Sequence, residues 1–244
     1  MALLKVNFKS DALSKATEFH VILPEKRASG VPLPVLYLLH GYSDDHSAWC
    51  AQTSVERYVR NRNIAVVMPD GFKSFYTDMV GGVYNCYTYL TRELPAFAQE
   101  NFNLSARRED NYIAGLSMGG YGAFKIALSQ PGNFCAAASF SGSLDIARSA
   151  RDADFSAIFA SPPQNTPDDL FFLAKREMPV KPRLYQWCGT EDHLYADNAR
   201  FRDYIQNLGF DYTYRESAGG HQWRHWDEQL RKIFAWFGIP QTEE

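Results

Sequence analysis

The chain has 244 residues, 45% hydrophobic and 22% charged, with a formal net charge of −3. Such a composition is globular and excludes a disordered chain. Lys and Arg are interleaved with Asp and Glu, which excludes the basic patch that a nucleic-acid backbone demands.

Seven apolar runs read as strands: 18–23, 34–39, 64–68, 111–114, 136–140, 184–188 and 211–214. The central ones are nearly continuous in apolar residues. That pattern marks strands buried on both faces of a mainly parallel sheet. Residues 18–23 are more mixed and suit an outer, antiparallel strand. Helical patterns fall between the strands at 55–61, 90–101, 119–129, 196–208 and 223–237. In the last, Trp226, Leu230, Ile233, Phe234 and Phe237 recur at helical steps and form one apolar stripe. The alternation implies an α/β class with one central, mostly parallel sheet flanked by helices. Residues 145–182, rich in Ser, Pro, Asp and Ala, interrupt it. They are expected to form a small cap-like insertion before the strand at 184–188, within a single domain spanning 1–244.

Cys50, Cys86, Cys135 and Cys188 are far apart and form no C-x-x-C pair, so reduced, mostly buried thiols are expected. No His, Asp and Glu residues stand at metal-ligand spacing, so neither a metal nor any other cofactor is expected. Neither a secretory leader nor a membrane-spanning stretch is expected. The expected location is cytoplasmic, with neither a membrane nor a nucleic acid as partner.

The most informative motif is Gly115-Leu116-Ser117-Met118-Gly119-Gly120. It fits G-x-S-x-G, and a strand precedes it and a helix follows it. That is the nucleophile elbow of the α/β-hydrolase fold. Ser117 is the expected nucleophile, and the Met118 amide is one expected oxyanion donor. Serine needs a base, and the chain order in this fold is Ser, then an acid, then His. His193, His221 and His225 follow Ser117. His221 lies in a glycine-rich loop after the last strand and is the expected base. His225 belongs to the helix, and His193 adjoins the acid candidate. The acid is expected at Asp192, in the turn after strand 184–188, with Glu191, Asp197 and Asp145 as alternatives. His40-Gly41-Tyr42 ends another strand, and the Tyr42 amide, or that of Gly41, is the second expected oxyanion donor. His40 is expected to be structural. Trp49, Phe75, Tyr76, Tyr84 and Tyr87 follow strand ends. Trp49, Tyr76 and Tyr84 are the candidates for substrate binding, against the plainer expectation that they pack on the sheet.

These stretches resemble the esterase D-like family of α/β-hydrolases, and within it the bacterial tributyrin esterases. The resemblance rests on residues 34–41, 63–69, 112–123, 138–142, 187–192 and 217–221, which include the elbow and the final Gly220-His221. It implies a serine carboxylesterase acting on short-chain acyl esters, from acetyl to butyryl, including acetylated or feruloylated carbohydrate. It also implies Ser117, Asp192 and His221 as the triad, and leaves a homo-oligomer open. The alternatives are a thioesterase of the S-formylglutathione hydrolase type, an acyltransferase and, last, a non-catalytic binding module.

Overall fold

The apolar runs pair into one eight-stranded sheet in a computed structural model that describes residues 1–25, 30–82, 84–149, 155–159 and 163–241. The strands are β1 (Ala2–Ser10), β2 (Lys15–Leu23), β3 (Val35–Leu39), β4 (Ala65–Pro69), β5 (Asn111–Leu116), β6 (Ala136–Phe140), β7 (Arg183–Gly189) and β8 (Tyr212–Ser217). Their order in the sheet is β1-β2-β4-β3-β5-β6-β7-β8. β2 is antiparallel to β1 and β4, and all pairings from β4 to β8 are parallel.

The centre of the sheet is dry on both faces. Val35, Tyr37 and Leu39 of β3 point into one cluster, and Leu36 and Leu38 point into the other. The period-two alternation survives, but both sets are apolar because helices cover both sides. β1 was not expected. Leu4, Val6 and Phe8 are half-buried and alternate with exposed Lys5, Asn7 and Lys9, so only one face is covered. Phe8 stacks on Phe97 at 4.5 Å. β1 therefore takes the edge, and β2, antiparallel as expected, is not outermost.

The helices are α1 (Ala48–Gln52), α2 (Val55–Val59), α3 (Cys86–Thr88), α4 (Leu94–Phe102), α5 (Met118–Ser129), α6 (Ile146–Ser149), α7 (Leu170–Lys175), α8 (Tyr195–Ile205) and α9 (Trp223–Phe237). A π-helical turn, Tyr89–Glu93, joins α3 to α4. α9 matches its expected bounds and buries its apolar stripe. It ends at Gly238 with φ 80°, where the Gly238 and Ile239 amides donate to Ala235 and Phe234 carbonyls, a Schellman stop. Of the proposed insertion, 150–154 and 160–162 lie outside the described residues. The sequence suggested no helix there, yet α7 forms. Asp169 accepts from the Phe171 and Phe172 amides as its N-cap, and Leu170, Leu173 and Ala174 are buried.

α5 is buried almost throughout, which requires small residues. A Cβ at Gly122 would collide with the Tyr76 ring. Lys125 of α5 is buried too. Its ammonium pairs with Asp168 at 2.5 Å and donates to Thr77 Oγ1 at 2.5 Å. Burial lowers its pKa, and Asp168 opposes that shift. Asp168→Ala leaves this ammonium without its counter-ion and is expected to destabilise the protein by about 3 kcal/mol. Lys125→Met should cost less, because the remaining carboxylate of Asp168 is part-exposed and can be hydrated. Urea-unfolding midpoints of the two variants check the order; equal midpoints would refute it.

Candidate active site

Every expected catalytic element lies at the C-terminal end of a parallel strand. Tyr42 follows β3, Ser117 follows β5, Asp192 follows β7, and His221 follows β8. Loops there converge because parallel neighbours bring equivalent ends to one edge of the sheet.

Ser117 caps α5 with φ 52° and ψ −118°, a strained conformation for a residue with a Cβ. It persists because its surroundings hold it. Its amide donates to Phe140 O at 2.9 Å, and its carbonyl accepts from the Tyr121 and Ser143 amides. The elbow's glycines are required by contact. A Cβ at Gly119 would meet the Leu39 and His40 carbonyls, and one at Gly115 would meet the Gly119 backbone. Met118 occupies the first helical position, so its amide has no helical acceptor. The Gly41 amide donates to Asp44 Oδ2 at 3.2 Å, which takes up the alternative oxyanion donor. Tyr42 donates no backbone hydrogen bond among the described residues. His40 is structural, as expected. Its Nδ1 donates to Gly41 O at 2.7 Å, and its Nε2 accepts from the Gly71 amide at 2.8 Å.

The acid and the histidine meet. His221 Nδ1 donates to Asp192, at 2.9 Å to Oδ2 and 3.1 Å to Oδ1. Their loops are fastened together by the Thr190 amide on Ser217 O and the Glu191 amide on Gly219 O. Burial alone would raise the Asp192 pKa. Hydrogen bonds from His221, the Leu194 amide and Ser141 outweigh it and hold the carboxyl below its ordinary value. The alternative acids are otherwise placed. Asp145 binds Arg200 at 2.8 Å, Asp197 also pairs with Arg200, and Glu191 is exposed. His225 lies beside Trp187 and accepts from Arg224. The Ser117 hydroxyl donates no hydrogen bond to a described residue, so its link to His221 is not made in this geometry. Catalytic hydrogen bonds commonly tighten only once substrate is bound.

Ser141 was missed. Its backbone has φ 48°, its side chain is buried, and its hydroxyl binds Asp192 while accepting from Trp226 Nε1 at 3.2 Å. Trp226 also packs edge-on against His221, at 4.8 Å. A strand end followed by Ser-Gly was the only local signal.

Two substrate-binding candidates are corrected. Trp49 and Tyr76 are fully buried, and their polar atoms are bound to the Leu39 and His40 carbonyls, so neither offers a surface to a ligand. They support the β3 loop from within. Tyr84 is part-exposed but stacks on Phe72 at 5.1 Å, with Lys15 above that ring. Phe75 is buried as well, packed between Tyr42 (5.8 Å), Tyr121 (5.7 Å) and Phe155 (5.2 Å). The four cysteines are free. Cys86 and Cys188 are buried, which pushes both thiols up to about 12, whereas Cys50 and Cys135 are only partly covered. No metal-ligand spacing is visible along the sequence, but the fold gathers Asp192, His193 and His221 with ligand atoms within 4.8 Å of one another.

With this strand order and a strained serine capping the helix after β5, the chain falls in the serine hydrolases of the α/β-hydrolase fold. The family described as "Putative esterase" matches residues 10–237, and the chain belongs to that family of carboxylic ester hydrolases. It is 30% identical to an acetyl esterase of Caldicellulosiruptor saccharolyticus, over 97% of this chain and 98% of that protein. Among solved structures it resembles FphF, a fluorophosphonate-binding serine hydrolase of Staphylococcus aureus, with TM-score 0.90 and 32% identity. It also resembles an S-formylglutathione hydrolase (FrmB) of the same species, with TM-score 0.86 and 31% identity. Each alignment covers 97% of this chain and 98% of the other. Among the described residues, no helix is long and apolar enough to cross a membrane.

Proposed function

We propose that the protein hydrolyses short-chain acyl esters through Ser117, His221 and Asp192. The observation that carries this is the 2.9 Å hydrogen bond joining His221 to a buried, ionised Asp192 at the sheet edge that holds the strained Ser117. Because Nδ1 of His221 is engaged by Asp192, Nε2 is the nitrogen free to take a proton. Ser117 Oγ attacks the carbonyl carbon as its proton passes to His221. The amides of Met118 and Tyr42 receive the oxyanion. The alcohol leaves with the proton from His221, giving an acyl-enzyme. Water then loses a proton to His221, attacks the acyl carbon, and the acid departs as Ser117 regains its proton.

Phe75, buried behind the Tyr42 loop, is the residue proposed to limit acyl length, through the position of that loop. It joins the Tyr42 loop to Phe155 and Phe159, which on this reading cap the entrance. Turnover of p-nitrophenyl esters should fall sharply beyond butyrate. Phe75→Leu should raise kcat/KM for octanoate relative to acetate by about tenfold or more. A smooth decline in the wild type, unchanged in the variant, would refute the cap and the role of Phe75.

A thioester substrate is the second reading, favoured by the similarity to the S-formylglutathione hydrolase. The ratio of kcat/KM for S-formylglutathione and p-nitrophenyl acetate on one preparation decides between them. The alcohol ester prevails if it is the better substrate.

A further inference from the structure

We infer that Asp192, His193 and His221 form a binding site for a zinc-like divalent cation, and that filling it withdraws His221 from catalysis. The site itself rests only on the geometry; its inhibitory consequence rests on the proposed role of His221.

Three observations support the site. The first is spacing. Ligand atoms on a tetrahedral zinc ion lie about 3.3 Å apart, given bonds of about 2.0–2.1 Å. Here His221 Nδ1 is 2.9 Å from Asp192 Oδ2, and His193 Nδ1 is 3.5 Å from Asp192 Oδ1. All three ligand atoms lie within 4.8 Å of one another, so modest rotation of a ring closes the set. The second is freedom to make that rotation. The His193 side chain is 68% exposed, donates no hydrogen bond to a described residue, and touches His221 ring to ring at 4.5 Å. The third is charge. Asp192 is a fully buried carboxylate that accepts from His221 Nδ1 at 2.9 Å. It is thus an anionic anchor beneath two imidazoles.

Two imidazoles and one carboxylate, with an open side toward solvent, suit Zn²⁺ and not Mg²⁺ or Ca²⁺, which prefer oxygen ligands. Coordination through either nitrogen of His221 stops its work. At Nδ1 the metal displaces the proton shared with Asp192. At Nε2 it occupies the position that accepts the Ser117 proton. Solvent and exposed His193 provide the entry path.

The test is calorimetric titration with ZnCl2 in a non-chelating buffer, on wild type, Ser117→Ala, His193→Gln and His221→Gln, with MgCl2 as the control cation. Wild type and Ser117→Ala should bind one Zn²⁺ per chain. His193→Gln and His221→Gln should need at least about tenfold more Zn²⁺. In parallel, Zn²⁺ should inhibit ester turnover by the wild type reversibly with EDTA. His193→Gln should keep its basal turnover but lose that sensitivity. No binding by the wild type overturns the proposal, as does undiminished binding by His193→Gln. Zinc binding that depends on His193 and His221, in a protein that hydrolyses no ester, would instead refute the proposed function and leave the metal site standing.

Discussion

Ser117→Ala is expected to lower turnover of p-nitrophenyl acetate by about 10⁴–10⁶, on the order of 5–8 kcal/mol of lost transition-state stabilisation. The size follows from the chemistry. Without the hydroxyl no acyl-enzyme forms, and only the amides of Met118 and Tyr42 remain to stabilise attack by water. The fold should tolerate the change. Alanine keeps the Cβ at φ 52°, and the Ser117 hydroxyl donates no hydrogen bond to a described residue. The measurement is initial rate across the ester series, with covalent labelling by a fluorophosphonate probe and a urea midpoint to show that the variant is folded. A folded Ser117→Ala protein that keeps more than roughly a tenth of wild-type turnover would place the nucleophile elsewhere.

Asp192→Asn is expected to lower turnover by about 10⁴ while Ser117 and His221 remain in place. In the wild type the carboxylate can only accept, so His221 must carry its proton on Nδ1 and leave Nε2 to receive one from Ser117. An asparagine can turn its NH2 toward Nδ1. The imidazole proton then moves to Nε2, the wrong side for a base. The buried site also loses the negative charge that would stabilise an imidazolium. Ser141 should not rescue the variant, because its hydroxyl binds the acid and not the histidine. Fluorophosphonate labelling should slow in step with turnover, since both need an activated Ser117. A loss under about tenfold would assign the acid's role to another carboxylate. Asp145 and Asp197 are poor substitutes, because both are paired with Arg200.

The central sheet was legible because its signal is local. A strand buried on both faces must be apolar at nearly every position, and β3, β4 and β6 are. The elbow was legible for a similar reason. Gly115 meets the Gly119 backbone four residues on, so that part of the constraint is written within the motif, whereas Gly119 is constrained by the Leu39 and His40 carbonyls at the end of the adjoining strand. β1 was missed although Leu4, Val6 and Phe8 alternate with polar residues, because an edge strand covered on one face has a weaker apolar signal. α7 was missed because its six residues are held by the Asp169 cap and by packing on α5, not by a long periodic stripe. Trp49 and Tyr76 were misassigned because position after a strand end does not say whether a ring turns outward or under the loop.

What the sequence determined by itself was the class of fold and the strand-turn-helix around Ser117. Each depends on hydrophobic period or on sterics between near neighbours. Only the tertiary structure decided which carboxylate meets which imidazole. His221 and Asp192 are 29 residues apart, and they touch because β7 and β8 are parallel neighbours whose following loops hydrogen-bond to each other. Ser141 reaches Asp192 because β6, which it follows, is the other parallel neighbour of β7, and His193 lies beside His221 because it follows Asp192 in the same loop. These contacts are set by strand order and register, which no local pattern encodes.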